Sequence, residues 1–360
     1  MEIVTYVFIA FAVIGAADRI FGSKLGLGKE FEKGIMMLGP LTLSMTGMLI
    51  MAPLISHLLS SVSGIFPDFL DFSVIPSCIL ANDMGGAPLA LNLANSDEMG
   101  FFNGLIVASM MGCTVSFTIP YALQVADKKH HADILFGILC GIVTIPVGCI
   151  VAGLMLGFSI KDILLDLVPL LIIAALIAFG LIKFRSFMIK FFKALAFVIQ
   201  LVIIVGLVVG IIEFLTDKKL LPYVDTLGNS MQVIINIACV MAGAFPLFSI
   251  LNKLLKVVLR ATGKLLGINE TSTFGLLSTL GTCVTTFECV DKMDKKGIVL
   301  NSAFAVSASF VFIDHLAFTM SFNSDYVPYL FAGKLISGAS ALCLALILYK
   351  NHKKKAKRNK

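Results

Sequence analysis

The chain of 360 residues is 58% hydrophobic and 14% charged, whereas an ordinary soluble domain carries about 25% charged residues. Its mean hydropathy is +0.97, and its formal net charge is +6. These values exclude a water-soluble globular domain, and the short loops leave no room for a second folding unit. We therefore predict a single membrane domain over residues 1–360.

Nine apolar segments are predicted to cross the membrane as helices, since about 20 apolar residues span the ~30 Å hydrocarbon core. In chain order they are residues 3–18, 34–60, 101–125, 134–158, 162–183, 191–214, 229–252, 298–320 and 327–349. Two further apolar segments, 73–95 and 272–290, are interrupted at their centres. Their interruptions read Asn82-Asp83-Met84-Gly85-Gly86-Ala87-Pro88 and Ser278-Thr279-Leu280-Gly281-Thr282.

Each interrupted segment is either a broken spanning helix or a re-entrant hairpin, because Gly and Pro turn or break a helix. Loop charges favour the hairpins. Lys and Arg prefer the cytoplasmic side. The six basic clusters lie in residues 19–33, 128–129, 183–193, 253–264, 292–296 and 350–360, and all fall on one side only if both segments are re-entrant. We therefore predict an extracellular N-terminus and a cytoplasmic basic tail, residues 351–360. This tail is interpreted as an orientation anchor at the lipid surface, and no nucleic-acid partner is predicted.

A weak internal repeat agrees with this topology. Val13–Asp18 resembles Val208–Glu213 at an offset of 195, and Gly86 matches Gly281 at the same offset. The predicted division is repeat one over 1–160, a linker helix over 161–184 and repeat two over 190–350. The charge argument makes the repeats inverted, which is typical of secondary transporters with interrupted helices at the midplane. The predicted fold is thus an all-α polytopic membrane protein resembling hairpin-containing carriers.

Ionisable side chains inside these segments are the leading functional candidates, since each costs about 2.5–3.5 kcal/mol at mid-bilayer. Asp83 lies in the first interruption, where a helix-capping role is the competing interpretation. Asp314 and His315 lie within 298–320 and could instead form a structural pair. Glu288 lies in the second interrupted segment, and we take it with His315 as a coupling or gating candidate.

Polar residues near these charges complete the predicted substrate site. Thr114, Ser116 and Thr118 alternate before Pro120, so they either bind a polar substrate or satisfy carbonyl groups that Pro120 leaves free. Thr282 offers a hydroxyl in the second interruption. The full predicted substrate-binding set is Asn82, Asp83, Gly85, Gly86, Thr114, Ser116, Thr118, Thr282 and Asp314.

No metal site, cofactor or enzymatic activity is predicted. The eight cysteines lack the Cys-x-x-Cys spacing of zinc or redox sites, and the five histidines are scattered. Phosphate-binding glycine loops and the signature motifs of intramembrane proteases are absent from the sequence. A channel is disfavoured because interrupted segments in inverted halves favour alternating access.

Four stretches resemble the ethanolamine utilisation permease family (EutH). They are Ile14-Gly15-Ala16-Ala17-Asp18-Arg19, Lys24-Leu25-Gly26-Leu27-Gly28, Asn82-Asp83-Met84-Gly85-Gly86 and Ser116-Phe117-Thr118-Ile119-Pro120. The Asp-Met-Gly-Gly motif is the most specific of them. The resemblance implies ethanolamine uptake at the bacterial cytoplasmic membrane, feeding a lyase-containing microcompartment pathway.

Ethanolamine fits the charges found from the residues alone. It is mostly a cation at neutral pH, so Asp83 or Asp314 would pair with its ammonium group while a hydroxyl or Asn82 meets its alcohol. The alternative prediction is a cation-coupled carrier of another small polar metabolite, such as a nucleoside or an amine. The sequence leaves open the coupling ion, which could be a proton, sodium or none, and is compatible with a homo-oligomer.

Overall fold

The computed structural model describes residues 2–63, 67 and 70–358, and every regular element in these ranges is helical. The α-helices are α1 Glu2–Ile20, α2 Leu27–Met36, α3 Leu38–Leu41, α4 Gly47–Ser63, α5 Val74–Ile79, α6 Gly86–Leu93, α7 Asp97–Phe101, α8 Ile119–Val125, α9 His131–Met155, α10 Ile160–Lys183, α11 Arg185–Thr216, α12 Leu227–Leu266, α13 Glu270–Gly281, α14 Cys283–Glu288, α15 Lys295–Ala308, α16 Asp314–Asn323 and α17 Val327–Arg358. Residues 359–360 of the predicted tail lie outside the described residues.

Shorter helical segments connect or extend these helices. Three have π-helical geometry: Thr42–Thr46, Phe102–Gly112 and Thr114–Thr118. Four have 3-10 geometry: Asn82–Met84, Lys128–His130, Val290–Lys292 and Ser324–Tyr326. The predicted all-α class is confirmed.

Within the described residues, seven helical stretches are long and apolar enough to cross a membrane. They are Leu27–Ser61, Asp97–Val125, Lys128–Met155, Ile160–Lys183, Arg185–Thr216, Leu227–Leu254 and Asp314–Lys350. The chain is therefore a multi-pass membrane protein. Two of the nine predicted spans fall outside this set, namely 3–18, which forms the 19-residue α1, and 298–320.

The prediction of one continuous helix over 298–320 is wrong. Helix α15 ends at Ala308 and α16 begins at Asp314, and between them Phe310 has a φ of 64°. Neither glycine nor proline marks this interruption in the sequence. The segment between the two helices is instead held by pairing with another part of the chain.

Backbone hydrogen bonds show what that partner is. The Phe310 N–H donates to the Thr279 carbonyl at 3.2 Å, and the Phe312 N–H donates to the Leu280 carbonyl at 3.0 Å. Both carbonyls belong to the last turn of α13, where intrahelical donors run out. The interruption between α15 and α16 thus supplies the donors that the end of α13 lacks.

We call α5 and α6, with residues 80–85 between them, the first helix pair. The Asp71 carboxylate, just before α5, accepts hydrogen bonds from the backbone N–H of Ser73 and, at 2.8 Å, from that of Asn95. Asn95 comes just after α6 and is 24 residues along the chain from Asp71. The chain therefore leaves and returns at one place, and Asp71 closes the base of the pair.

We call α13 and α14, with Thr282 between them, the second helix pair. The Thr286 hydroxyl donates to the Gly275 carbonyl at 2.9 Å and lies 2.9 Å from the Ser278 hydroxyl. In a straight helix, residues 275 and 286 would be about 16 Å apart. Helix α14 therefore turns back beside α13, and Asp294 joins the base of the pair through the Asn269 N–H at 2.9 Å.

The turn of the first pair packs tightly on the stretch Asp97–Val125. A Cβ added at Gly112 would overlap the Leu80 carbonyl, so only glycine permits this approach. The Ala81 N–H donates to the Ser116 hydroxyl at 3.1 Å. Both helix pairs thus present their turns to the stretch that follows them in the chain.

Candidate functional site

An open cavity of about 510 Å³ lies beside the turn of the second helix pair. Its lining combines one internal carboxylate, several hydroxyl groups, two phenylalanine rings and a charged rim. Among these residues are Asp314, Ser278, Thr282, Thr285, Phe245, Phe248, Glu30, Lys33 and Lys253. The volume falls in the range of 300–1,000 Å³ that is typical of small-molecule sites.

Asp314 is one of two acidic residues, with Glu30, among the described residues that line this cavity. Asp314 is the first residue of α16, where the positive end of the helix dipole stabilises a negative charge. It is partly exposed, whereas its neighbour His315 is buried. The interruption before α16 therefore positions a carboxylate at a helix N-terminus that faces the cavity.

Thr282 and Thr285 supply hydroxyl groups to the same cavity. The Thr282 oxygen also accepts a hydrogen bond from the Val284 N–H at 3.2 Å, so it caps α14. Its backbone is extended, with φ of −158°, which places the side chain at the turn of the second helix pair. The predicted site residues Thr282 and Asp314 therefore line one cavity.

Lys334 was missed by the sequence analysis. Its side chain is 0% exposed, and its ammonium group donates to the Ser109 carbonyl at 2.7 Å and to His315 Nδ1 at 3.0 Å. Because lysine has no acceptor, Nδ1 of His315 must accept, which makes this imidazole neutral with its proton on Nε2. The signal was present in the sequence, since a lysine inside the apolar segment 327–349 is costly without a partner.

Asp83 lies in the 3-10 turn of the first helix pair and is partly buried. Its carboxylate interacts electrostatically with the Lys334 ammonium group and with the Asp314 carboxylate. We call Asp83, Asp314, Lys334 and His315 the charge cluster. With both carboxylates ionised and His315 neutral, the cluster has one net negative charge.

Two glycines shape the turn that carries Asp83. Gly85 has a φ of 104°, a conformation that side chains rarely adopt. A Cβ at Gly86 would lie 2.5 Å from the Leu80 carbonyl oxygen. Both predicted glycines therefore form the turn, while neither lines the 510 Å³ cavity.

The predicted hydroxyl row has backbone partners. The Thr114 hydroxyl donates to the Met110 carbonyl at 2.7 Å and lies 3.1 Å from the Val306 carbonyl. The Ser116 hydroxyl donates to the Gly112 carbonyl at 2.8 Å. Thr118 is buried, with its hydroxyl 3.9 Å from a cysteine sulfur. None of the three lines the 510 Å³ cavity, although Ser116 lines a separate cavity of about 440 Å³.

Asn82 and Glu288 also lie away from the 510 Å³ cavity lining. The Asn82 side chain is fully buried, and neither its oxygen nor its nitrogen has a hydrogen-bond partner among the described residues. Glu288 is exposed and accepts a hydrogen bond from the Tyr121 hydroxyl at 3.3 Å. The structure thus brings together Asp83, Asp314 and His315, and leaves Glu288 apart.

Comparisons with known proteins give a consistent result. The family model described as "Ethanolamine utilisation protein, EutH" matches residues 1–348. A protein of Listeria monocytogenes serotype 1/2a (strain 10403S), named "Probable ethanolamine permease EutH", is 40% identical over 360 residues, with 99% of this chain and 96% of the relative covered. A protein of the same name from Salmonella typhimurium (strain LT2) is 35% identical, with 96% of this chain and 95% of the relative covered. "Uncharacterized protein YxeR" from Bacillus subtilis (strain 168) is also 35% identical, with 96% and 94% covered. No solved structure matches the chain.

Proposed function

Because the chain belongs to the EutH family of ethanolamine utilisation proteins, we propose that it is a secondary transporter or facilitator that imports ethanolamine across the bacterial cytoplasmic membrane. The names of the Listeria and Salmonella relatives support this substrate. The observation that carries the proposal is the partly buried Asp314 carboxylate, which lines a 510 Å³ cavity together with several hydroxyl groups. A buried carboxylate facing a wet cavity inside a membrane marks a path for a cation or a polar substrate.

Ethanolamine binds in this proposal with its ammonium group on Asp314 and its hydroxyl group near Thr282 and Thr285. The Phe248 ring lines the same space, and an aromatic face attracts a cation, whereas the Phe245 ring already has the Lys33 ammonium group 4.6 Å from its centre. The charge cluster supports a cationic substrate, since its net negative charge is neutralised when one ammonium group enters.

In this proposal both helix pairs are re-entrant and belong to inverted repeats. Equivalent positions of the two halves lie close together, as elements do around a two-fold axis. The Thr144 hydroxyl donates to the Ser337 carbonyl at 3.3 Å, and the Ser337 hydroxyl donates to the Thr144 carbonyl at 3.0 Å. These residues are 193 positions apart, as are Phe117 and Phe310, whose rings lie 5.6 Å apart. Both separations lie within two residues of the 195-residue offset of the predicted repeat.

Contacts between loops support the proposed sidedness. His130 Nε2 lies 3.0 Å from the Asp291 carboxylate, and both residues are in loops assigned to the cytoplasm. The Tyr326 hydroxyl donates to the Glu98 carbonyl at 3.3 Å, and both residues are in loops assigned to the outside. With this sidedness, the rim residue Lys33 places the mouth of the 510 Å³ cavity on the cytoplasmic side. The described conformation is then the inward-facing state of an alternating-access cycle.

Uptake of radiolabelled ethanolamine into proteoliposomes tests the proposed function. We expect saturable uptake above that of empty vesicles, and competition by unlabelled ethanolamine. Folded protein that gives no uptake above empty vesicles, under imposed sodium or proton gradients and without them, contradicts the proposal. Single-channel currents in a planar bilayer would contradict the alternating-access mechanism.

A further inference from the structure

A second buried polar network lies at the base of the first helix pair. The Asn103 amide donates to one oxygen of Asp166 at 2.9 Å and to the Ser73 hydroxyl at 3.0 Å. The Ser73 hydroxyl donates in turn to the Asp71 carboxylate. These hydrogen bonds join three elements: the first helix pair, the stretch Asp97–Val125 and α10. Helix α10 corresponds to the predicted linker helix 161–184, for which no polar role was predicted.

One carboxylate oxygen in this network has no partner. Asp166 is 3% exposed, and its Oδ2 makes no hydrogen bond to any of the described residues. By contrast, both oxygens of Asp71 accept hydrogen bonds, from Ser73 and Asn95. A buried carboxylate oxygen without a donor or a counter-charge is costly in a protein interior. The free oxygen of Asp166 is therefore the atom of this network that a bound cation would stabilise.

Asp166 is among the residues that line a cavity of about 180 Å³. Asp71 and Asp162 also line it, together with Asn95 and Ser96. No basic side chain is among the described residues that line this cavity. Three carboxylates without a compensating positive side chain give the cavity a negative potential, which attracts cations.

The ligand set favours a monovalent over a divalent cation. Calcium takes six to eight oxygen ligands, often from several carboxylates at once. Among the described residues, no group of three His, Cys, Asp or Glu side chains is placed to hold a metal ion together. Asp166 Oδ2 is the buried carboxylate oxygen without a partner among the described residues of this lining, and with neighbouring hydroxyl and amide oxygens it offers a cation one negatively charged ligand. We propose that this cavity binds a sodium-sized monovalent cation on Asp166.

A cation bound there would tie α10 to the base of the first helix pair. Asp71 closes that base, and the opposite end of the pair carries Asp83 of the charge cluster. Occupancy of the cavity would therefore fix the helix pair that carries Asp83 of the charge cluster. Cation binding itself does not depend on ethanolamine transport, so a protein that fails to carry ethanolamine could still pass the following test.

The test is thermal unfolding of the purified full-length protein in detergent, in sodium chloride and in potassium chloride of equal ionic strength. A ligand that binds the folded state alone raises Tm with its concentration. We expect a saturable rise of Tm with sodium and no such rise with potassium. Equal melting temperatures in both salts at every concentration overturn the proposal.

Two variants locate the site. Asp166→Asn keeps the size of the side chain and should lose the sodium-dependent rise of Tm. Asp97→Asn removes an exposed carboxylate at the same end of the molecule, and this variant should keep the sodium-dependent rise of Tm. An Asp166→Asn protein that retains the full rise overturns the assignment. If that variant does not fold, binding of radioactive sodium to the wild-type protein decides: saturable binding supports the site, and its absence overturns it.

Discussion

The net charge of the candidate site depends on a few ionisable residues, and the sequence alone predicted two of them. Asp83 and Asp314 stood out because ionised groups are rare inside apolar segments. Lys334 meets the same criterion, but it was not among the predicted site residues. Its partners, the Ser109 carbonyl and His315, come from distant parts of the chain, so spacing alone could not identify them.

Replacing Lys334 tests the charge cluster. Lys334→Met removes the donor to the Ser109 carbonyl and to His315, and leaves Asp83 without a nearby positive charge. Loss of one partner of a buried charged group costs about 3–5 kcal/mol of unfolding free energy, so we expect a clear fall of Tm in detergent.

A second substitution provides the control. Asp83→Asn in the Lys334→Met background removes the uncompensated carboxylate and should restore part of the lost stability. Groups that interact directly show coupling energies of about 0.5–3 kcal/mol in such cycles. A double variant whose Tm falls by the sum of the two single changes would show that Asp83 and Lys334 are independent.

At the scale of elements, glycine and proline predicted only some of the interruptions. The first interrupted segment breaks at 80–85, which ends with Gly85, and α6 begins at Gly86. In the second, α13 continues through Gly281 and the break is confined to Thr282. The interruption between α15 and α16 has no local signal, because pairing with the end of α13 creates it. Tertiary contacts of this kind cannot be read from local propensity.

Replacing Gly281 by alanine tests how tightly the second helix pair packs beside the cavity. A Cβ at this position would lie 2.5 Å from the Phe248 ring and 3.1 Å from the Ile313 side chain. Gly281→Ala must displace a ring that lines the cavity. We expect a stability loss of about 1–3 kcal/mol, seen as a lower Tm, together with reduced ethanolamine uptake.

Gly228→Ala is the matched control, because the nearest atom to a Cβ there is the Thr226 hydroxyl oxygen at 4.0 Å. Gly228 is an exposed residue of helix α12, where alanine is favoured over glycine, so the Tm of this variant should stay the same or rise. Equal effects of the two substitutions would show that the packing at Gly281 is not tight.

For the whole molecule, hydropathy sufficed to predict an all-α polytopic protein, because the bilayer requires long apolar helices. Hydropathy alone did not predict the number of spanning helices. Two shorter helices joined by an irregular segment, such as 309–313, can cross the membrane together although neither does so alone. The direction of each half depended on loop charges, and the re-entrant topology and the inverted repeat stay predictions. They can be tested by labelling.

Single cysteines at the ends of the two helix pairs test this topology. We expect Pro67→Cys and Ser96→Cys to react with a membrane-impermeant thiol reagent in intact cells. Glu270→Cys and Lys292→Cys should react only after the membrane is permeabilised. All four positions are exposed, and the wild-type protein gives the background from its native cysteines. If the two ends of either pair react from opposite sides, that pair spans the membrane and the inverted topology is wrong.

The most direct test of the account is equilibrium binding of radiolabelled ethanolamine to purified wild-type, Asp314→Asn and Asp325→Asn proteins. Asp314→Asn removes the carboxylate of the cavity, and we expect a Kd at least about tenfold higher, a loss of about 1.4 kcal/mol or more. Asp325→Asn removes an exposed carboxylate of the loop before α17 and should bind as the wild type does. Wild-type affinity in a folded Asp314→Asn protein would contradict the assignment of this cavity as the ethanolamine site.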